Sequence, residues 1–337
     1  MNKIKALVLL SGGLDSMLAV KVLQVQGIEV AGLCFKSNFY NCEKAKEAVS
    51  QLGIELIEFD LTEAMFALVK NPPSGYGKNL NPCIDCHALM LSKAGEIAKE
   101  KGFDFIATGE VLGQRPFSQT KDSLNRVAKL AGVPVLRPLS AKLLSETEIE
   151  KQGLVRRGRL LDISGRGRER QLELAEKFKI EEYPAPAGGC LLTDPGFSER
   201  GMLLLDNWPD CDSEDFELIK HGRVFWFTNH KGEKIVLLVG RHKEDNENLE
   251  KLAQTGDIVI RLKEMTGPTS VLRFKNSNFD IDSEIFLDVP EKLLELEKDI
   301  FKENSEEEIL HLAGLLTAYY ASRARGREVK IDYLKIK

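Results

Sequence analysis

Residues 1–195 predict a doubly wound α/β domain built on a parallel sheet, and residues 196–337 predict a second, smaller α+β domain. Three observations carry this expectation. From Lys5 to Gly109, apolar runs alternate with helix-period segments, which is a βαβ rhythm. Those runs are continuous rather than alternating, as strands covered by helices on both faces must be. After Asp194-Pro195-Gly196 the pattern changes to short strands followed by helices.

Taken in order, the strands of the first domain fall at 6–10, 30–35, 56–61 and 105–108, with helices near 15–26, 43–52 and 83–101. Asn71-Pro72-Pro73-Ser74-Gly75-Tyr76-Gly77 is a loop by turn chemistry and leads into Asn81-Pro82 just before the third helix. The sheet's ligand belongs beyond the strand C-termini. In the second domain strands are expected at 224–227, 235–239, 258–262 and 271–274, then helices from about Glu291 and from Ser305. Ser305 and Glu308 fit a capping box, and a helix over 313–325 closes on Arg323-Ala324-Arg325, which could aim cations at RNA or simply complement the helix dipole.

Composition excludes disordered, fibrous and membrane-spanning classes. The chain has 337 residues, 43% apolar and 29% charged. Its first apolar run breaks at Ser11-Gly12-Gly13, short of a signal-peptide core of about 7 to 15 residues and far short of the roughly 20 that span a bilayer. A cytoplasmic protein with no membrane contact is expected. Net charge is -5, but the first 195 residues hold 26 Lys and Arg against 24 Asp and Glu, so the remainder is acidic. Within 151–170, seven basic residues (Lys151, Arg156, Arg157, Arg159, Arg166, Arg168, Arg170) face only Asp162 and Glu169. Arginine forks suit phosphate oxygens, so the patch is a candidate RNA contact, although a solvated helix face has the same look.

Ser11-Gly12-Gly13-Leu14-Asp15-Ser16 lies between the first strand and the first helix. Glycines let backbone amides approach an anion, the helix N-terminus adds about half a positive charge, and Ser11 and Ser16 can donate hydroxyl hydrogen bonds. Asp15 is repulsive beside phosphates unless it caps the helix or holds Mg2+. Neither the P-loop nor the dinucleotide glycine pattern is present.

SGGLDS resembles the pyrophosphate loop of the PP-loop ATP pyrophosphatase superfamily, whose domains are adenine nucleotide α-hydrolase-like. Ala107-Thr108-Gly109-Glu110-Val111-Leu112-Gly113-Gln114, with Ser118-Gln119-Thr120, resembles a stretch of the 4-thiouridine synthetases that act on tRNA, and Val135-Leu136-Arg137-Pro138-Leu139 resembles their next strand and loop. The resemblance implies cleavage of ATP between its α and β phosphates to adenylate a uridine carbonyl oxygen. It places Gly109, Gln114 and Gln119 around the nucleotide, and Lys36 is counted with them. The second domain more weakly resembles the RNA-associated NFACT-R domain of a ribosome-rescue family, through Gly222-Arg223, Val239-Gly240-Arg241-His242 and Asn246.

Cys83 and Cys86 open a helix with thiols turned to one side, and Cys190 follows the loop Tyr183-Pro184-Ala185-Pro186-Ala187-Gly188-Gly189, rich in proline and glycine. Three thiolates could hold three corners of a 4Fe-4S cluster, leaving one iron open to a sulfur ligand. This resembles the cluster-bearing branch of tRNA thiolation enzymes. In the other branch a persulfide forms on one cysteine, here Cys190, and a second, here Cys86, resolves it. Zinc with His87, a haem signal in Cys-x-x-Cys-His and a plain pair of buried thiols stand as rival readings. Cys34 and Cys42 are expected as separate core or surface cysteines, and Cys211 lacks electropositive neighbours. A disulfide framework is not expected.

The expected activity is therefore an ATP-dependent tRNA sulfurtransferase that uses a 4Fe-4S cluster to make 4-thiouridine or 2-thiouridine and releases AMP and pyrophosphate, with the persulfide relay as its alternative. Ser11, Gly12, Gly13, Asp15 and Ser16 would bind ATP and Mg2+, and Cys83, Cys86, Cys190 and Asp15 would carry catalysis. Expected partners are tRNA, a sulfur donor (sulfide or a persulfide-carrying protein) and a second copy of the chain. An amidating ligase has no use for three cysteines, and an RNA-binding adaptor with a vestigial nucleotide site has none for an intact Asp15.

Overall fold

The computed structural model describes residues 3–185, 189–276, 279, 284–300 and 302–337. The chain divides into Met1–Ser198 and Glu199–Lys337.

In the first unit, β1 (Lys5–Leu9), α1 (Leu14–Gln24), β2 (Glu29–Lys36), α2 (Glu43–Leu52), β3 (Leu56–Asp60), α3 (Thr62–Lys70), α4 (Cys83–Lys101), β4 (Phe105–Thr108), α5 (Lys121–Ala131), β5 (Val135–Leu136), α6 (Glu148–Lys151) and α7 (Glu169–Lys177) follow one another. The five strands pair in the order β3-β2-β1-β4-β5, all parallel. This is the expected parallel sheet. Ala6, Leu7 and Val8 of β1 are fully buried, which is why the central strand reads as an uninterrupted apolar run. Leu14, Met17, Leu18 and Leu23 of α1 pack into the same core. The strand order reverses between β1 and β4, and the C-termini of these two strands mark the switch point where such sheets hold ligands.

Cys34 and Cys42, expected as separate thiols, are joined by a disulfide with Cα atoms 5.9 Å apart. The cause is a reversal just after β2. Ser37 N donates to Tyr40 O at 2.9 Å, which folds the residue preceding α2 back over the strand. Both cysteines are buried.

In the second unit, α8 (Pro195–Asn207), which begins just before it, is followed by α9 (Ser213–Leu218), β6 (Arg223–Asn229), β7 (Lys234–Val239), α10 (Lys243–Leu252), β8 (Ile258–Leu262), β9 (Ser270–Phe274), β10 (Glu284–Asp288), α11 (Leu294–Ile300), β11 (Glu303–Asn304), α12 (Glu306–Tyr319) and β12 (Glu328–Lys335). A seven-stranded sheet runs β10-β12-β8-β9-β7-β6-β11, antiparallel except for the β11–β6 pair. Ser305 caps α12, and Glu308 completes the box from N3. The helix expected to reach Arg325 stops at Tyr319. Ala321 N and Ala324 N bond to carbonyls three residues back, and Gly326 takes a φ of 68°, so the chain turns tightly into β12.

The residues that suggested an RNA-associated domain form a structural joint here. A Cβ on Gly240 would stand 2.0 Å from Asn246 Oδ1, the oxygen that accepts Thr269 N at 3.1 Å. Arg241 Nε pairs with the buried Asp245 at 2.6 Å.

Candidate functional site

The loop after β1 and the loop after β4 meet at the reversal point of the sheet. Gly12 has a φ of 75° and lies so close to α2 that a Cβ would stand 2.2 Å from Lys44 C and O. A Cβ on Gly109 would stand 2.5 Å from Ser16 N and 2.6 Å from Asp15 C. Only glycine fits either position without a backbone shift.

Gly13 sits at the N-cap of α1 with no side chain to satisfy the helix's free amides, which leaves this end open to an anion. Ser16 Oγ donates to Gly13 O at 2.7 Å, and Ser11 Oγ accepts from Gly13 N at 3.3 Å. Gln114 Nε2 donates to Asp15 Oδ2 at 2.9 Å. Asp15 Oδ1 is buried and has no hydrogen-bond partner among the described residues. A buried carboxylate oxygen without a partner is costly, and a divalent cation is one group that would satisfy it.

The other nucleotide candidates divide. Gln119 is buried and turned into its own loop, where its Oε1 accepts Arg115 N at 3.2 Å and its carbonyl accepts Gly113 N at 2.7 Å. It shapes the segment that carries Gln114. Lys36 lies at the C-terminal end of β2 and faces Asp60 at 3.7 Å, with both side chains about half exposed.

Glu110, next to Gly109, organises a buried polar network that sequence reading missed. Its carboxylate accepts Arg137 Nε at 2.8 Å and Thr108 Oγ1 at 3.1 Å, and His87 Nδ1 lies 3.0 Å from it. Burial pushes this carboxyl up, but Arg137 and His87 outweigh it and hold it at about 2. Glu110 and Arg137 both lie in the quoted family stretches; an ion pair between neighbouring parallel strands has no local spacing that would reveal it. His87 is thereby engaged by Glu110 instead of standing free beside Cys86.

Cys83, Cys86 and Cys190 lie within range of one another's charges. Cys83 opens α4, Cys86 follows one turn on, and Cys190 precedes the short turn Leu191–Thr193. Burial is the main cause raising the Cys86 and Cys190 thiols, and the charges of the other cysteines add to it. Cys83 Sγ accepts from Asn81 Nδ2 at 3.0 Å. Among the described residues no group of three or more His, Cys, Asp and Glu is arranged to hold a metal ion.

Several contacts set Cys190 in place. Leu191 N donates to Phe39 O at 3.3 Å, Asn79 Nδ2 donates to Thr193 O at 2.6 Å, and a Cβ on Gly189 would stand 2.5 Å from Thr193 Oγ1. Pro186 to Gly188 of the loop before it lie outside the described residues. The Tyr40 hydroxyl is buried, and its environment, burial first and then Cys86, raises its pKa.

The basic patch is partly committed within the fold. Arg157 pairs with the buried Glu150 and donates to Leu144 O at 2.9 Å, and Arg170 pairs with Asp162 at 3.0 Å. Arg156, Arg159 and Arg166 are exposed.

A five-stranded parallel sheet with a glycine-serine anion loop at its reversal point defines a PP-loop type α/β domain. Residues 2–152 match the family model described as thiamine biosynthesis protein (ThiI), and this segment of the chain is ThiI-like. Among solved structures, a 4-thiouridine synthetase–RNA complex with bound ATP is similar at 22% identity and a TM-score of 0.39, over 63% of this chain and 52% of that one. The chain thus spans about half of that synthetase. A predicted subunit of tRNA methyltransferase from Methanocaldococcus jannaschii matches at 19% identity and a TM-score of 0.30, over 40% of this chain and 69% of that one. NMN synthetase from Francisella tularensis matches at 16% and 0.27, over 54% and 88%. No helix among the described residues is long and apolar enough to cross a membrane.

Proposed function

We propose that this protein is a cytoplasmic ATP-dependent tRNA sulfurtransferase that adenylates a uridine carbonyl oxygen and replaces it with sulfur, giving 4-thiouridine or 2-thiouridine. One structural relationship supports this above all others. Cys86 is followed by His87, which bonds to Glu110, and Glu110 is preceded by Gly109, which packs on Asp15 and Ser16. The thiols and the anion loop are therefore two ends of one rigid connection, as a reaction joining a nucleotide to sulfur requires.

In this reading the amides from Ser11 to Gly13 and the N-terminus of α1 bind the leaving pyrophosphate, and Ser16 steadies the loop. Gln114 fixes the carboxylate of Asp15 so that its free oxygen meets Mg2+. The cation would neutralise charge building on the phosphates as the α–β bond breaks.

Three soft thiols within electrostatic range of one another suit a 4Fe-4S cluster held by Cys83, Cys86 and Cys190. Such a cluster would supply an open iron that binds hydrosulfide. A persulfide route is favoured instead by the lack, among the described residues, of a metal-holding arrangement. There Cys190 persulfide attacks the adenylated carbon and AMP leaves. The Cys86 thiolate then attacks Cys190 Sγ, breaking the S–S bond to free the thiouridine and leaving a disulfide for an external thiol to reduce. On this route a persulfide-carrying protein is the donor, passing its outer sulfur to Cys190, whereas sulfide is the donor for the open iron of a cluster; a homodimer is the proposed assembly.

The test supplies Mg2+-ATP and unmodified tRNA to the anaerobic protein with sulfide or, in a parallel reaction, with a persulfide donor and a reducing thiol, and follows nucleotides and tRNA nucleosides by mass spectrometry. AMP and a thiouridine are expected from wild type, and Asp15→Ala should abolish both. ADP in place of AMP, or AMP with no thiouridine, overturns the reading.

A further inference from the structure

We propose that Arg168 and Gln171, at the start of α7, form a second half of the nucleotide site and hold the pyrophosphate portion of Mg2+-ATP together with the loop after β1. This rests on the reading of that loop as an ATP site. Gln171 is fully buried, yet neither its Nε2 nor its Oε1 has a hydrogen-bond partner among the described residues. Arg168 Nε is buried and unpartnered in the same way, as is Asp15 Oδ1. Buried polar atoms left unsatisfied are costly, so a cluster of them points to a group that completes it.

The fold brings these residues to one edge of the domain. Ser164 bridges Leu112 in parallel and Gly165 N donates to Leu112 O at 2.8 Å, so the chain sets out for α7 from beside Gly113, the neighbour of Gln114. The buried Ser140 hydroxyl locks this join, accepting Leu112 N at 2.9 Å and donating to Ile163 O at 2.7 Å. α7 packs on α1 and runs the same way. Past its end, Glu181 N and Glu182 N donate to Gln51 Oε1 of α2 at 3.2 and 3.1 Å, and the next residue of α2, Leu52, accepts Gln24 Nε2 from the last turn of α1 at 3.0 Å. The C-terminal ends are thus gathered at one edge, and the N-termini of α1 and α7 lie at the other, with Asp15 and Gln114. Gln171, Leu174 and Ala175 share a face of α7 by their spacing. Leu174 and Ala175 pack in the core that holds Leu14 and Met17, so Gln171 is turned toward α1.

The basic patch over 151–170 thereby divides. Arg156 N donates to Gln26 Oε1 at 2.8 Å and Arg159 donates to Val25 O at 3.4 Å, both at the C-terminal end of α1, whereas Arg168 stands at the end that carries the anion loop. The simpler account of a buried glutamine is an internal water. One water takes up the amide but gives no reason for an arginine and an aspartate with orphaned atoms at the same edge. A magnesium polyphosphate answers all three. Its oxygens accept from the guanidinium and from Gln171 Nε2, its cation meets Asp15 Oδ1, and water on the cation donates to Gln171 Oε1. α7 also has no side chain capping its free amides, so a second helix N-terminus favours the anion.

The test is calorimetry of the full chain with ATP, AMP and pyrophosphate in the presence of Mg2+, with no tRNA and no sulfur donor. Arg168→Gln should weaken ATP and pyrophosphate about tenfold and leave AMP within about twofold, as the loss of a charge-assisted contact to the pyrophosphate alone requires. Gln171→Leu, close in volume, should weaken ATP and pyrophosphate about fivefold and raise the Tm of the unliganded protein, since it removes the unsatisfied amide. A glutamine that only supports the fold through a water would instead lose Tm and keep its ligand affinity. Lys177→Gln makes the same charge change at the exposed far end of α7 and should bind all three ligands as wild type does. Unchanged pyrophosphate affinity in Arg168→Gln, equal losses for ATP and AMP, a loss in Lys177→Gln to match, or a lower Tm with unchanged ATP affinity in Gln171→Leu overturns the proposal. Wild type that binds ATP and makes no thiouridine overturns the thiolation reading and leaves this one standing. Wild-type affinity in both α7 variants, with ATP lost in Asp15→Ala, overturns this inference alone.

Discussion

Gly109 touches the backbone of α1 so closely that a methyl group in its place would stand 2.5 Å from Ser16 N. The loop after β4 is thus seated directly on the first turn of α1, the helix that follows the glycine-serine loop, and the two cannot close further without a shift of backbone.

Gly109→Ala should therefore damage nucleotide binding before it damages anything else. Overpacking of this kind costs about 1 to 3 kcal/mol, and the displaced atoms here include Ser16 N, which donates to Gly13 O at 3.0 Å in the first turn of α1. We expect ATP affinity to fall at least tenfold, measured by calorimetry, with a modest drop in Tm. Gly158→Ala is the control, because nothing lies within 4 Å of a Cβ there. Equal ATP affinity in both variants would sink the assignment of this site.

Glu110 ties β4 to β5 and to α4, and its carboxyl is held at about 2 against an ordinary value of about 4.5. A depressed carboxyl contributes stability that is fully present above its unfolded pKa and is lost as pH falls through the folded one. The loss from this group should thus fall between pH 4.5 and 2. Glu110→Gln leaves Arg137 buried opposite a neutral group, which costs about 3 to 5 kcal/mol at pH 7. Urea unfolding at pH 7, 4 and 3 should show the gap between wild type and variant narrowing as pH falls. A gap constant across that range would assign the network's stability to packing instead.

Much of this architecture was legible in the sequence for a physical reason. Parallel strands buried on both faces leave uninterrupted apolar runs, so β1 to β4 stand out; α4 and the cap of α12 are marked by local chemistry. β10 (Glu284–Asp288) and β12 (Glu328–Lys335) have no such run, because partly or fully exposed residues interleave the buried Leu287, Val329, Ile331 and Tyr333. In the site, the glycines and Asp15 announce themselves through spacing. Glu110 with Arg137, and Cys34 with Cys42, depend on segments brought together only by the fold.

The Cys34–Cys42 disulfide spans a separation of eight residues and encloses Phe39, whose carbonyl accepts Leu191 N beside Cys190. It also ends at the N-cap of α2, the helix against which Gly12 packs. Closing a loop of this size is worth about 2 to 3 kcal/mol by chain entropy. Alkylation in denaturant without reductant should therefore modify four cysteines, and six after reduction. Cys42→Ser should lower Tm and raise hydrogen exchange around both 37–44 and 190–193. Six reactive thiols before reduction would remove the bond from the account.

Cys83 separates the two chemistries available to the thiols. A persulfide relay runs on Cys190 and Cys86 and gives Cys83 no task, whereas a cluster with one open iron needs all three ligands. The side chain of Cys83 accepts one hydrogen bond, from Asn81 Nδ2 at 3.0 Å, so Cys83→Ala removes little that holds the fold. Under the cluster reading, anaerobically reconstituted Cys83→Ala should lose most of its iron and the accompanying visible absorbance, and should make no thiouridine from sulfide. Its ATP affinity should stay within about twofold of wild type, because Asp15 and the anion loop reach α4 through Glu110 and His87 and not through Cys83. Under the relay reading, the same variant keeps its thiouridine yield with a persulfide donor, while Cys86→Ala stalls with sulfur still bound to Cys190. Full thiolation by an iron-free Cys83→Ala protein would settle the choice in favour of the relay.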